Sequence, residues 1–114
     1  MTSSYQRGLF SEWIARQFLR VHGFRILESR FITGRYTGRA EIDIIARRGN
    51  LLLFIEVKNR PTNIAGLDAI TAKQNKRLRS AAGVYIRRNR WIGNARFDVI
   101  VVRGLKISWF KNSI

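Results

Sequence analysis

The sequence predicts one α/β domain over residues 1–114, with helices and strands in the order α-β-β-β-α-β-β. Apolar residues recur at helical spacing in two stretches, and five other stretches are rich in β-branched and aromatic residues. The length agrees with this, because single domains most often run to about 100–150 residues. No repeat, low-complexity run or linker rich in Pro, Gly or Ser divides the chain.

The first helix is predicted from the apolar residues between positions 9 and 21. Phe10, Ile14, Phe18 and Val21 follow one side of a helix, so we expect this side to be buried. Gly23 suits the end of the helix, since glycine readily takes the left-handed conformation that follows many helices.

Three strands are predicted next, over residues 24–33, 40–47 and 51–58. A glycine-punctuated turn separates the first two, and the short Arg48-Gly49-Asn50 link between the second and third favours a hairpin. Residues 51–57 are almost all apolar, so we expect the third strand to lie near the centre of the sheet, covered on both faces.

A second helix is predicted from about residue 68 to residue 88, after a loop that carries Pro61. Asp68 suits its N-terminal cap, because a carboxylate can accept backbone N–H groups of the first turn. Helical spacing marks its buried face as Leu78, Ala81, Ala82, Tyr85 and Ile86. Two more strands are predicted, over residues 96–103 and 106–110.

The charge balance predicts a polyanionic partner. The chain has 22 basic and 7 acidic residues, a net charge of +15, and 17 of the basic residues are Arg. Arg binds phosphate groups through paired N–H donors, so nucleic acid, most simply DNA, is the expected partner.

Composition also excludes several classes of site. The absence of Cys excludes disulfides, thiolate zinc sites, iron–sulfur clusters and a Cys nucleophile, and the single His, His22, excludes zinc sites with several His ligands. The first residues do not form a secretory signal, and no stretch approaches the about 18 apolar residues that cross a membrane. We therefore expect a cytoplasmic protein without integral membrane association.

Acidic residues stand among apolar ones in the second and third predicted strands. Side chains alternate between faces along a strand, so Glu41 and Asp43 should point one way, and Ile42 and Ile44 the other. By the same rule Glu56 and Lys58 share a face of the third strand, opposite Ile55 and Val57. A hairpin would then bring Asp43, Glu56 and Lys58 together.

Two adjoining carboxylates predict a divalent cation. They repel each other and are costly in an apolar sheet unless a cation neutralises them. Mg²⁺ takes carboxylate oxygens and keeps waters and phosphate oxygens as further ligands, and Mn²⁺ is expected to substitute for it. With Asp43 and Glu56 on the metal and Lys58 positioning or activating a water, the set suits hydrolysis of a phosphodiester bond.

The spacing of Asp43, twelve residues and then Glu56-Val57-Lys58 resembles the D…(D/E)xK core of the restriction-endonuclease-like superfamily. The chain from Gly8 to about Val102 resembles the YraN family of uncharacterised, predicted endonuclease-like bacterial proteins, which is similar to archaeal Holliday-junction resolvases. The segments that carry this resemblance are Gly8 with Glu12, GFRIL at 23–27, AEIDIIA at 40–46, FIEVKNR at 54–60, Lys73 with Leu78, and RFDV at 96–99.

This resemblance implies a mixed central sheet flanked by helices and a nuclease of DNA, with branched or junction DNA as a candidate substrate. It carries the catalytic roles over to Asp43, Glu56 and Lys58, with Glu12 as a carboxylate on the first helix. The chain departs from the family's usual pattern at two positions, where Ala40 replaces Gly and Asn59 replaces Thr.

Clusters of basic residues are expected to contact phosphates. Residues 69–97 contain eight basic residues and no acid, and further Arg residues, including Arg47 and Arg48, lie at the predicted hairpin turns. The candidate nucleic-acid-binding residues are Lys73, Lys76, Arg77, Arg79, Arg35, Arg39 and Arg60.

Simpler structural roles are open for most of these residues. Asp43, Glu56 and Lys58 also suit an ion-pair network, and Glu12 suits a helix-surface pair with Arg16. Glu41 and Asp98 suit salt bridges to Arg residues, with site roles as the alternative, and His22 suits the end of a helix. Trp91 suits either the core or stacking on a base.

The leading hypothesis is therefore a Mg²⁺-dependent nuclease or nuclease-like protein. The alternatives are a non-catalytic nucleic-acid-binding module and a small basic adaptor of a ribonucleoprotein or membrane-surface assembly. A homodimer is a further candidate, with Trp109-Phe110 at its interface.

Overall fold

The computed structural model describes residues 4–34, 39–60 and 72–113, and it confirms the predicted order of helices and strands. The elements are α1 (Ser4–Val21), β1 (Arg25–Thr33), β2 (Ala40–Arg48), β3 (Leu51–Asn59), α2 (Ala72–Arg88), β4 (Asn94–Arg103) and β5 (Lys106–Phe110). Helix α1 begins five residues before its predicted start. The predicted cap Asp68 lies outside the described residues.

The strands form one mixed sheet in the order β1-β2-β3-β4-β5. Neighbours pair antiparallel except β3 and β4, which are parallel because the chain crosses over between them through α2. The apolar strand β3 lies at the centre, as predicted.

One helix covers each face of the sheet. On the α1 face, Ala15 and Leu19 pack against Leu53, Ile55 and Ile100. On the α2 face, the predicted helix residues are buried or partly buried against the sheet: Leu78, Ala81, Ala82, Tyr85 and Ile86. The site described below lies at one edge of this second core.

The predicted buried side of α1 is wrong in part. Ile14 is buried, but Phe10 is 50% exposed and Val21 is 83% exposed. Ser11, Ala15 and Leu19 are buried instead. Helix α1 has apolar residues on opposite sides, so their spacing alone did not identify the side that faces the sheet.

The predicted alternation along β2 is also wrong at one point. Ile42 packs in the core beneath α2 and Ile44 in the core beneath α1, although both were expected on one face. The β1–β2 register pairs Ser29 with Ile44 and Phe31 with Ile42, which places Arg30 opposite Asp43. Arg30 has a left-handed backbone with φ of 57°, so the regular strand geometry is interrupted at this pair.

Candidate metal centre

Asp43 marks the point where the β2–β3 ladder stops. The paired residues run from Arg48 and Leu51 to Ile44 and Ile55. Beyond them, the backbone N–H of Val57 donates to Oδ2 of Asp43 at 2.8 Å. This hydrogen bond holds the Asp43 carboxyl group against the strand that carries Glu56 and Lys58.

Glu56 and Lys58 lie on the same face of β3, as the alternation predicted. Nζ of Lys58 is 3.2 Å from Oε1 of Glu56, and the two side chains are only 15% and 11% exposed. Asp43 is close enough to Glu56 for the charge of Glu56 to raise the pKa of Asp43. The structure thus brings together the three side chains that the sequence predicted would converge.

Both carboxyl groups have raised pKa values. Burial and the charge of Glu56 raise the pKa of Asp43 to about 8, against the opposing effect of the Val57 hydrogen bond. Burial also raises the pKa of Glu56, although Lys58 opposes it. Among the described residues, Lys58 is the cation that opposes the rise for Glu56, and a further cation would stabilise the ionised forms of both carboxyl groups.

A cavity of about 220 Å³ opens onto these carboxyl groups. Its lining consists of Arg39, Ala40, Glu41, Asp43, Glu56, Arg77 and Leu78. Arg39 and Arg77 are exposed, so two guanidinium groups border a cavity that has acids inside it.

Glu12 and Glu41 differ in their relation to this cavity. Glu12 forms two hydrogen bonds with Arg30, at 3.0 and 3.4 Å, rather than the expected pair with Arg16. Its charge still contributes to the raised pKa of Asp43. Glu41 lines the cavity and is exposed, and within the described ranges it forms no ion pair, contrary to the expected salt bridge.

Asp43 and Glu56 suit a cation that retains part of its water shell. Within the part of the chain that the structure describes, no three His, Cys, Asp or Glu side chains are grouped to enclose a metal. Mg²⁺ is often bound by one or two carboxylates, with waters and substrate phosphates as its other ligands. The pair, its raised pKa values and the open cavity fit that kind of ion.

Asp98, the other buried acid, accepts hydrogen bonds from groups that hold the fold together. It is fully buried and accepts two hydrogen bonds from Arg96, both of 2.9 Å, which agrees with the predicted Arg pair. Nε1 of Trp109 and the backbone N–H of Asn112 each donate to it at 2.8 Å. Asp98 therefore holds β5 and the residues after it against β4.

The predicted phosphate-binding residues are dispersed. Arg39 and Arg77 border the cavity, and Lys76 is exposed on α2. Arg79 donates to Asn75 at 2.8 Å and lies over the Phe97 ring, and Arg60 is half-buried and donates to the Asn59 carbonyl. Arg35 and the side chain of Lys73 lie outside the described residues.

The rings of His22 and Trp91 both pack against other parts of the fold. His22 lies after the end of α1, with Nδ1 2.8 Å from the Phe18 carbonyl and its ring against Trp109. Trp91 donates from Nε1 to the Asn94 carbonyl at 2.9 Å and packs against the α2 core. Both rings therefore have structural contacts.

Two groups close to the site cannot be identified from the sequence. One is the N–H of Val57, because a backbone donor has no residue-type signal. The other is Arg30, which pairs with Glu12 across 18 positions in the chain and lies opposite Asp43 in the β1–β2 register. Only the positive φ of Arg30, which sequence does not reveal, would have identified it.

The comparisons with known proteins cover the segment that contains the site residues. A family model described as "Uncharacterised protein family UPF0102" matches residues 11–102. A UPF0102 protein of Bartonella tribocorum is 40% identical over 101 residues, which cover 87% of this chain and 75% of that protein. One of Paramagnetospirillum magneticum is 34% identical over 102 residues, with 88% and 79% covered. These names state no activity.

No helix within the described ranges combines the length and the hydropathy that a membrane span requires.

Proposed function

This chain belongs to the UPF0102 family, the YraN family indicated by its motifs, and we propose that it is a metal-dependent nuclease of DNA. Branched or junction DNA is the substrate class that the resemblance to resolvases suggests. The observation that carries the proposal is that the carboxyl groups of Asp43 and Glu56 line one cavity bordered by Arg side chains. Burial raises the pKa of both carboxyl groups.

Asp43 and Glu56 would hold Mg²⁺ or Mn²⁺ through their carboxylate oxygens. When bound, the cation supplies positive charge at the phosphate and a bound water of lowered pKa. The Val57 N–H already orients the Asp43 carboxyl group, and the Lys58 ammonium group orients that of Glu56.

Lys58 and the two Arg residues act on the substrate in this proposal. Nζ of Lys58 carries three N–H donors, of which one suffices for Glu56, so the others can orient the attacking water. Arg39 and Arg77 bind phosphate oxygens at the mouth of the cavity. The water oxygen bonds to phosphorus as the P–O ester bond breaks, the water's proton leaves toward solvent, and the leaving ester oxygen takes a proton from solvent to become a hydroxyl.

The test is cleavage of labelled junction, flap, single-stranded and duplex oligonucleotides with Mg²⁺, Mn²⁺ or a chelator. We expect cleavage only with a divalent cation, and its loss in Asp43→Asn and Lys58→Met while binding persists. Glu28→Gln is the matched control for the loss of one carboxylate, because Glu28 is an exposed acid of β1 outside the cavity lining. Equal cleavage by the native chain and by Asp43→Asn would contradict the proposal.

The ion pair between Lys58 and Glu56 favours a second candidate, a non-catalytic nucleic-acid-binding module. In that case Lys58 neutralises one carboxylate permanently, and the raised pKa keeps Asp43 protonated and uncharged near neutral pH. Steeply salt-dependent binding without cleavage of any oligonucleotide, with either cation, would favour this candidate over the nuclease.

A further inference from the structure

We propose that three Arg residues at the end of β2 remote from the carboxyl pair form a second phosphate-binding site. A cleft of about 400 Å³ lies there, lined by Gly23, Arg25, Leu27, Arg47, Arg48 and Gly49. None of these described lining residues is acidic. Asp43 lies near the start of β2 and this cleft lies at its end, so the length of the strand separates the two sites.

The strand register places two like charges against each other. Arg25 of β1 is the direct cross-strand partner of Arg47 of β2, and both side chains are exposed. Like charges at directly opposite positions of an antiparallel pair destabilise a sheet. Arg48 adds a third positive charge, and none of the three is in an ion pair of the described residues. A bound anion would turn this repulsion into attraction.

Two of the three guanidinium groups are already positioned. Arg47 lies 4.8 Å from the centre of the Trp91 ring and donates through Nε to the Gly49 carbonyl at 2.9 Å. Arg48 lies 4.4 Å from the centre of the Phe24 ring and donates through Nη1 to the His22 carbonyl at 2.8 Å. Both keep N–H donors for a ligand, and their ordering lowers the entropy that binding would cost.

Phosphate suits the cleft better than a single carboxylate. Three guanidinium groups present donors in several directions, and a phosphate group offers at least two charged oxygens to paired N–H donors. The glycines at the cleft, Gly23 and Gly49, have φ of 85° and 57° and carry no side chain that would narrow it.

The spacing of the two sites suits one nucleic-acid strand. Arg47 follows Asp43 by four residues in β2, which corresponds to about 13 Å at the usual rise of a strand. This is about four base-pair steps of duplex DNA. The identification of the ligand as a nucleic-acid phosphate rests on the proposed function, whereas binding of phosphate itself does not.

The first experiment uses inorganic phosphate alone, without nucleic acid or divalent cation. Thermal unfolding is followed in sodium phosphate and in sodium chloride of equal ionic strength. At about ten times its dissociation constant, phosphate should raise the Tm of the native chain by roughly 5 °C. Arg25→Gln should lose at least half of that rise and should melt no lower than the native chain in chloride, because it removes a repulsion.

Arg20→Gln is the matched control, since Arg20 is exposed on α1 and lies outside the cleft. It should keep the whole response to phosphate. The proposal is overturned if Arg25→Gln responds as fully as the control, if it melts lower than the native chain in chloride, or if acetate gives the same rise as phosphate.

The second experiment measures oligonucleotide affinity against salt concentration with a chelator present. Arg25→Gln should lower the slope of log K against log salt by about 0.9 on duplex, or about 0.7 on single strands, and Arg20→Gln by less. An effect confined to short oligonucleotides with a 5′-phosphate assigns the cleft to a strand end, and an effect independent of the terminus assigns it to the backbone. An unchanged slope would overturn the nucleic-acid assignment. Cleavage is not measured, so failure of the nuclease proposal would leave these results intact.

Discussion

The carboxylate of Asp43 takes the place of a backbone carbonyl in the β2–β3 ladder, where it accepts the N–H of Val57 at 2.8 Å. The regular β2–β3 pairing ends at Ile44 and Ile55, and Ile44 is the neighbour of Asp43 in β2. A side chain of β2 thus continues the hydrogen bonding of β3, and the same side chain is half of the proposed metal site. Structural and functional roles of Asp43 can be separated by the choice of substitution.

Asp43→Asn and Asp43→Ala should differ in stability although both remove the charge. Asn keeps an oxygen that can accept the Val57 N–H, whereas Ala leaves this donor without a partner in the sheet. We expect Asp43→Ala to be less stable than Asp43→Asn by about 1–3 kcal/mol. Urea unfolding at pH 8 measures the difference, and equal stability of the two variants would show that the Val57 hydrogen bond contributes little.

Stability of the metal-free protein should fall as pH rises from about 4 to about 8. Folding raises the pKa of Asp43 from 3.8 to about 8, so in this window the folded chain binds a proton that the unfolded chain has released. The stabilisation is complete below the unfolded pKa and is lost as pH rises through the folded one. The raised pKa of Glu56 acts in the same direction.

Urea unfolding over this pH range, with a chelator, tests the pH dependence. Asp43→Asn should show a flatter profile, and Glu28→Gln should keep the native one. A native profile that rises through the window, or that matches Asp43→Asn, would contradict the assignment of the raised pKa to Asp43.

Binding of Mg²⁺ or Mn²⁺ should tighten as pH rises toward about 8, because the cation competes with the proton on Asp43. Titration calorimetry in two buffers of different ionisation enthalpy should detect proton release near pH 7. Removal of the cation with a chelator should lower the Tm of the native chain but leave that of Asp43→Asn unchanged. Binding without proton release would place the cation elsewhere.

Asp98→Ala should lower stability but keep cation binding, whereas Asp43→Asn should remove cation binding. It removes the fully buried acceptor of Arg96, Trp109 and Asn112, so unfolding free energy should fall by about 3 kcal/mol. Affinity for the divalent cation at low temperature should stay within about twofold of the native value, since Asp98 lies outside the cavity lining. A stable Asp98→Ala variant that has lost the cation would instead give Asp98 a role in the site.

Strand periodicity predicted the convergence of Asp43, Glu56 and Lys58, although the period of two holds along β3 and fails between Ile42 and Ile44 of β2. The short hairpin link and the period of two along β3 place Glu56 and Lys58 beside β2, whereas the position of Asp43 coincides with the irregular geometry at Arg30. The order of the elements and the buried face of α2 also follow from local patterns, because each depends on residues close together in the chain.

The remaining features depend on contacts between distant residues. Helix α1 is apolar on two sides, and packing against the sheet selected Ile14, Ala15 and Leu19 rather than Phe10 and Val21. The interruption at Asp43 likewise coincides with Arg30 in a left-handed conformation opposite it, paired with Glu12 on α1.

The residue pattern therefore predicted roughly where Asp43, Glu56 and Lys58 meet and led to the proposal that they carry the chemistry. It did not specify their partners: the Val57 N–H for Asp43, Arg30 for Glu12, or Arg25 beside Arg47. Periodicity reports the face of a single element, whereas these pairings depend on the register and packing of several elements at once.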